Sequence, residues 1–197
     1  MQVFPIILGH VLLGAPAAWA FAKFHFRGKK ILYTLYIVLM LMPFQVTMVS
    51  SYLVLNKLGL IDTVWAVILP GAASTLPVFI MTRFFMDIPE AVMEAAAVDG
   101  ASSFQIFLRL GLPLGAPGIL SAVVLGFLEY WNAIEAPQAF LKNQALWPLS
   151  LYMSNITADN AGVSLIASLI TLMPPLLIFL FGQKYLEQGI ISSGMKD

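Results

Sequence analysis

The chain has 197 residues and no cysteine, which excludes a disulfide framework, thiolate catalysis and Cys-ligated zinc. Charge is scarce as well. Asp, Glu, Lys and Arg make up 10% of the residues, and ten basic side chains balance ten acidic ones. Such a balance supports neither a nucleic-acid-binding surface nor a polybasic membrane patch. The two histidines, His10 and His25, lack metal-ligand spacing. There is no Gly-x-x-x-x-Gly-Lys-Ser/Thr sequence, so a nucleotide site of that kind would have to come from another chain. No linker, repeat or low-complexity block divides the sequence, and it reads as one domain over residues 1–197.

What is present is apolar. Hydrophobic residues account for 60% of the chain, and the mean hydropathy is +0.89. An all-α soluble core is a poor reading with so little polar surface; a membrane protein fits. Five stretches, near 3–22, 31–55, 63–82, 115–137 and 163–183, reach the roughly 20 residues that a helix needs to cross a bilayer. Lipid cannot satisfy exposed backbone groups, and the alternation of a barrel strand is missing, so the expectation is an all-α polytopic membrane bundle of about five transmembrane helices. The prolines in or beside the spans, Pro43, Pro70, Pro77, Pro117, Pro137, Pro174 and Pro175, read as kinks that neighbouring helices tolerate. The Pro174-Pro175 pair is the expected site of a functional bend. The methionines read as ordinary packing residues within the spans.

Lys and Arg set the expected orientation. Lys23, Arg27, Lys29, Lys30, Arg83, Arg109, Lys184 and Lys196 fall on one side, and Lys57 and Lys142 on the other. The first group is expected in the cytoplasm, with the segment around Gly100 and the C-terminus. Residue 1, Asn143 and Asn155 are then external. A cleaved signal peptide would need a basic start, but no Lys or Arg precedes Lys23.

The segment from Asp87 to Pro113 has local signals of its own. Asp87, Pro89 and Glu90 read as an acidic N-cap with Pro and an acid in the first turn, starting a helix over 88–98. Gly100 supplies a left-handed corner. Ser102-Ser103-Phe104-Gln105 has the capping-box pattern and starts a second helix, with Phe104, Phe107 and Leu108 at helical spacing. Glu90 and Glu94 stand four apart, where like charges are mildly destabilising, beside Ala91, Ala95 and Ala96. Small residues allow a close approach, and acids invite a basic partner; a tidy amphipathic corner without a partner is the plainer alternative.

In the spans, Gln45, Thr47, Ser50 and Ser51 form a polar strip after Pro43. It either bonds neighbouring helices, the commoner role, or lines a path for a hydroxylated solute. Glu129 and Glu135 flank Tyr130-Trp131-Asn132 at the outer end of the fourth span. They mark either a solute pathway or a hydrated headgroup belt with aromatic anchors.

The run Glu94-Ala95-Ala96-Ala97-Val98-Asp99-Gly100, followed by Leu110-Gly111-Leu112-Pro113, resembles the Glu-Ala-Ala loop of ABC importer permeases. Leu110 stands where that family often has Ile. Trp131-Asn132 and the ending Tyr185-Leu186-Glu187-Gln188-Gly189-Ile190 through Gly194-Met195-Lys196 resemble the carbohydrate subfamily, similar to the second membrane subunit of maltose-type systems. Ala133 follows Asn132 where that subfamily commonly has an acid. The resemblance spans nearly the whole chain but starts at the family's second span. It implies a missing first span, by truncation, a misplaced start or natural variation.

The fold so implied is that of a type I importer permease with a cytoplasmic coupling helix in a loop over 84–113. The implied function is a permease subunit of an ATP-driven carbohydrate importer in a prokaryotic plasma membrane. It would be no enzyme itself, and it would bind no cofactor, ATP and Mg being held by the partner ATPase subunits. The implied partners are a second permease subunit in a heterodimer, two ATP-binding cassette subunits, an extracytoplasmic solute-binding protein and lipid, with no nucleic acid. Glu90, Glu94, Ala95, Ala96, Asp99, Gly100, Leu110 and Pro113 are the expected ATPase-coupling residues. Gln45, Ser50, Glu129, Trp131 and Asn132 are the expected solute pathway. Alternatives are a permease for a non-sugar solute, or an ion-coupled transporter, which would want a buried ionisable relay or broken helices at mid-membrane.

Overall fold

The computed structural model describes residues 2–154 and 161–194, and these are helices and short connections with no strand among the described residues. Helix α1 runs over Val3–Lys23 with one π-turn at His10–Gly14. Next come α2 (Lys29–Leu41) and α3 (Phe44–Lys57), then α4 (Trp65–Ala72) and α5 (Thr75–Met86). The loop pair is α6 (Glu90–Val98) and α7 (Ser103–Leu114), the latter with a π-turn at Phe107–Gly111. The chain then forms α8 (Ala116–Trp131), α9 (Glu135–Phe140), α10 (Leu149–Ser154) and α11 (Ala161–Gly194). Asn155, Met195 and Lys196 lie outside the described residues.

Three helices, Val3–Lys23, Trp65–Met86 and Leu165–Glu187, are each long and apolar enough to cross a membrane, and two bent pairs bring the total to five if each pair is one span. The expected second span is one of those pairs: α2 and α3 meet at 106°. Its cause is Pro43, which keeps Met42 out of the helical region (ψ 124°) and stands itself extended (ψ 147°) as the N-cap of α3. The fourth span also differs from its expected limits. Helices α7 and α8 meet at 67° around Gly115, and α8 ends at Trp131, so 132–137 is a break and the start of α9. The third span is interrupted at Ala73-Ser74, where Pro77 has no N–H to give the Ala73 carbonyl. By contrast Pro174 and Pro175 lie inside α11 without ending it, whereas the breaks in the second and fourth spans fall at Pro43 and Gly115.

Helix α5 is central, packed against α1, α2 and α8, while α8 also packs on α11. At the loop end Trp19, Phe21, Met81, Phe85, Ile106 and Phe107 form one buried cluster. Toward the other end Ile6, Val67, Ile68 and Leu141 form a second. Lipid removes the hydrophobic drive for helix association, so close packing has to replace it, and small residues at crossings allow that. Gly115 shows the tightness: a Cβ there would stand 2.2 Å from Phe85 Cε1, and Phe85 is fully buried. Gly115→Val should therefore cost about 1–3 kcal/mol by overpacking. Thermal unfolding in detergent should show the loss, and Phe85→Leu on the same chain should restore part of it.

Candidate functional site

The bundle carries two constellations, the 84–113 loop and a cavity in the opposite half. In the loop, α6 begins at Glu90 with Pro89 as N-cap (ψ 136°). The start is thus two residues later than expected and uses no side-chain cap, because Pro89 supplies fixed geometry in place of an acceptor. Helix α6 ends in a Schellman motif. Gly100 adopts φ +85°, its N–H donates to Ala97 O at 3.0 Å, and the Ala101 N–H donates to Ala96 O at 3.0 Å. The capping box forms as the sequence suggests: Gln105 N donates to Ser102 Oγ at 3.3 Å, and Ser102 N donates to Gln105 Oε1 at 2.8 Å. On the bundle side, the Lys23 ammonium donates to the Ile88 carbonyl. The carboxylates of Glu90 and Asp87 act on the same ammonium.

Helix α6 has two faces. Met93 and Ala96 pack on the buried cluster of the bundle, and Glu90, Glu94, Ala95, Asp99 and Gly100 are exposed. Ala96 therefore lies on the inward side, and so does Leu110, half-buried on the same cluster; Pro113 is exposed on the returning helix. Two apolar residues outside the expected coupling set complete the outer face. Val98 is 87% exposed and Phe104 68% exposed, on either side of the glycine corner. For Val98 the signal was phase: Met93 and Ala96 are three apart on one side of α6, which turns Ala91, Ala95 and Val98 outward.

The cavity has a volume of about 950 Å³. Met42 and Phe44 at the α2–α3 bend, Ser74 and Thr75 at the break in the third span, and Glu129 to Ala136 beyond the end of α8 all contribute to its wall. Of the expected pathway residues, Glu129 and Asn132 line it directly. Gln45 acts through a neighbour, its Nε2 donating to Oε1 of the lining residue Glu135 at 2.7 Å. Ser50 is exposed and outside the lining, whereas Thr47 and Ser51 on the same helix are within it.

Trp131 faces elsewhere. Its ring stacks on Phe127 with centroids 5.3 Å apart, and its Nε1 donates to the Thr171 carbonyl on α11 at 3.1 Å. Trp131→Phe should then lower stability by about 0.5–1.5 kcal/mol, the net worth of one hydrogen bond. Apparent solute affinity should not move. Thermal unfolding and a solute titration on the same preparation check both statements.

Behind the cavity wall lies a polar node. Gly71 O accepts from His10 Nε2 at 2.9 Å, from Tyr130 OH at 3.4 Å and from Ser74 N at 3.0 Å. Helix ends leave such carbonyls without intrahelical partners, and the break at Ala73-Ser74 creates this one.

Residues 10–192 match the family of binding-protein-dependent transport system inner membrane components. The chain belongs to this family. It is a membrane-embedded transport permease subunit of the ABC-importer class. The chain is 27% identical to the arabinooligosaccharides transport system permease protein AraQ of Halalkalibacterium halodurans, over 97% of this chain and 70% of that one. It is 34% identical to a probable ABC transporter permease protein of Pyrococcus horikoshii, over 95% of this chain and 70% of that one. It thus spans about 70% of the length of these relatives. In fold it is similar to a chain in the crystal structure of a bacterial ABC transporter involved in the import of the acidic polysaccharide alginate, with a TM-score of 0.79, 21% identity, and coverage of 93% of this chain and 71% of that one.

Proposed function

We propose that this permease carries a saccharide across a prokaryotic plasma membrane, driven by ATP that separate cassette subunits bind with Mg and hydrolyse. The observation that carries the reading is the coexistence, in one chain of this family, of a glycine-cornered loop at one end and, at the other, a wide cavity whose largely apolar wall carries Glu129, Asn132 and Glu135. The loop with Glu94, Ala95, Val98 and Gly100 exposed is the docking element for an ATPase, and lies with the C-terminus in the cytoplasm. A second permease subunit closes the other side of the cavity, and an extracytoplasmic binding protein delivers solute to it. Relatives named for saccharide systems support a sugar over other solutes.

Two experiments test this. Uptake of labelled oligosaccharide should stop when cells are depleted of ATP and continue with a protonophore while ATP is held constant; the opposite result would favour an ion-coupled transporter. In sealed cells, a cysteine introduced at position 143 should react with an impermeant reagent, and one at position 29 or 100 should not. Reaction at position 100 would place the loop outside and end the coupling assignment.

A further inference from the structure

The cavity wall offers hydrogen-bond donors and acceptors, but its formally charged side chains are of one sign. Several groups on or beside it already donate one hydrogen bond within the chain. Gln45 Nε2 donates to Glu135, Asn132 Nδ2 to Leu128 O at 2.8 Å, Tyr130 OH to Gly71 O, and Thr47 Oγ1 to Phe44 O at 3.1 Å. Acceptors remain. Glu129 lines the cavity, is exposed to it, and accepts no hydrogen bond among the described residues. Oε2 of Glu135 and Oδ1 of Asn132 are in the same position, since only their partner atoms are engaged. A donor on a solute finds free carboxylate lone pairs here, while the hydroxyls of Ser51 and Thr75 and the second N–H of Asn132 can serve its acceptors.

Charge points the same way. None of the lining residues is Lys, Arg or His, and two are glutamates. The N-terminal ends of α3 and α5 also reach the cavity, at Phe44 and Thr75, and each brings about half a positive charge. These are partial charges, and the lining holds no formal cation to balance Glu129 and Glu135. An anionic group would face two acidic side chains and no cationic one, and like-charge juxtaposition is an effective way to reject a solute.

We propose that Glu129 and Glu135 make this cavity selective against acidic saccharides, so that the permease passes neutral or amino-bearing sugars and rejects uronate-type ones. The inference rests on the importer reading and adds the sign of the solute. Hydroxyl and ammonium donors complete the free valences of Glu129, Glu135 and Asn132, and a uronate carboxylate cannot.

The test uses the assembled complex in nanodiscs without its solute-binding protein, so that selectivity measured is that of the membrane subunits. Three probes of equal length serve: a neutral arabinose trisaccharide, a galacturonate trisaccharide and a glucosamine trisaccharide. The acidic probe should bind at least about tenfold more weakly than the neutral one. Glu129→Gln with Glu135→Gln should bring that ratio to within about threefold and remove the preference for the amino probe. Glu129→Gln alone, which breaks no hydrogen bond within the described chain, should narrow the ratio part-way and serves if the double variant assembles poorly.

Equal binding of the acidic and neutral probes to the unaltered complex would overturn the inference, as would a gap that survives Glu129→Gln undiminished. ATP-driven uptake with the binding protein restored separates the two levels of failure. An active importer with no charge preference sinks this inference alone, whereas a complex with neither saccharide binding nor ATP-driven uptake sinks it together with the importer reading.

Discussion

Complexes built with Gly100→Val should insert in the membrane at ordinary levels and lose their ATPase on purification. Nothing lies within 4 Å of a Cβ at position 100, and φ is +85°, so the penalty is one of backbone conformation, not of crowding. A β-branched residue in that region costs about 1–2 kcal/mol. Relief of the strain would break the two hydrogen bonds that close α6 and would re-aim α7. The spans do not depend on the corner, because Ala96 and Phe107 are held by the buried cluster behind it. Gly100→Asn, which tolerates the left-handed region, should retain the ATPase. Glu94→Lys should match the loss by Gly100→Val through charge alone, since Glu94 is exposed on the outer face and a cation there would meet the basic surface that an acidic docking helix implies. Co-purification and solute-stimulated hydrolysis are the readouts. Full ATPase retention by both Gly100→Val and Glu94→Lys would leave the loop without its assigned role.

The loop was the most legible part of the sequence because its signals are local. Ser102 and Gln105 are three apart and cap each other wherever the bundle puts them, and Gly100 suits the left-handed corner whatever surrounds it. Met42, Ala73 and Gly115 show where such reading ends. Each lies at a break beside or near a proline, but Pro174 and Pro175 sit in an unbroken helix, so proline by itself does not say which span gives way. The outcome depends on whether a neighbour can take the freed carbonyl. His10 and Tyr130 take that of Gly71, and they are 61 and 59 residues away in sequence. Trp131 illustrates the same limit. Its place at the end of a span is readable from the sequence, but whether its indole faces solute or α11 depends on a helix that arrives 40 residues later.

His10→Ala should have the largest effect of any substitution within the spans. His10 is 1% exposed and fills a notch left by Gly126, where a Cβ would stand 2.8 Å from His10 Nδ1. Its ring lies 5.6 Å from that of Tyr130, so one side chain joins α1, α4 and α8 directly behind the cavity. Burying a polar group at that depth is costly without a partner, and the Gly71 carbonyl exposed by the break in the third span is the partner of His10 Nε2. Truncation to Ala opens a void and removes the bond together, and large-to-small changes in packed interiors cost about 2–5 kcal/mol. His10→Phe keeps most of the volume and loses only the hydrogen bond, about 1 kcal/mol, because Ser74 N and Tyr130 OH still serve Gly71 O. Thermal unfolding in detergent should therefore rank wild type above His10→Phe and His10→Phe well above His10→Ala. Since Gly71, Ser74 and Tyr130 all line the cavity, loosening the node also loosens the wall that meets solute. The Phe variant should then need more solute for half-maximal uptake even where its unfolding temperature is near normal. An Ala variant as stable as wild type would show that the node is not what holds these three helices together.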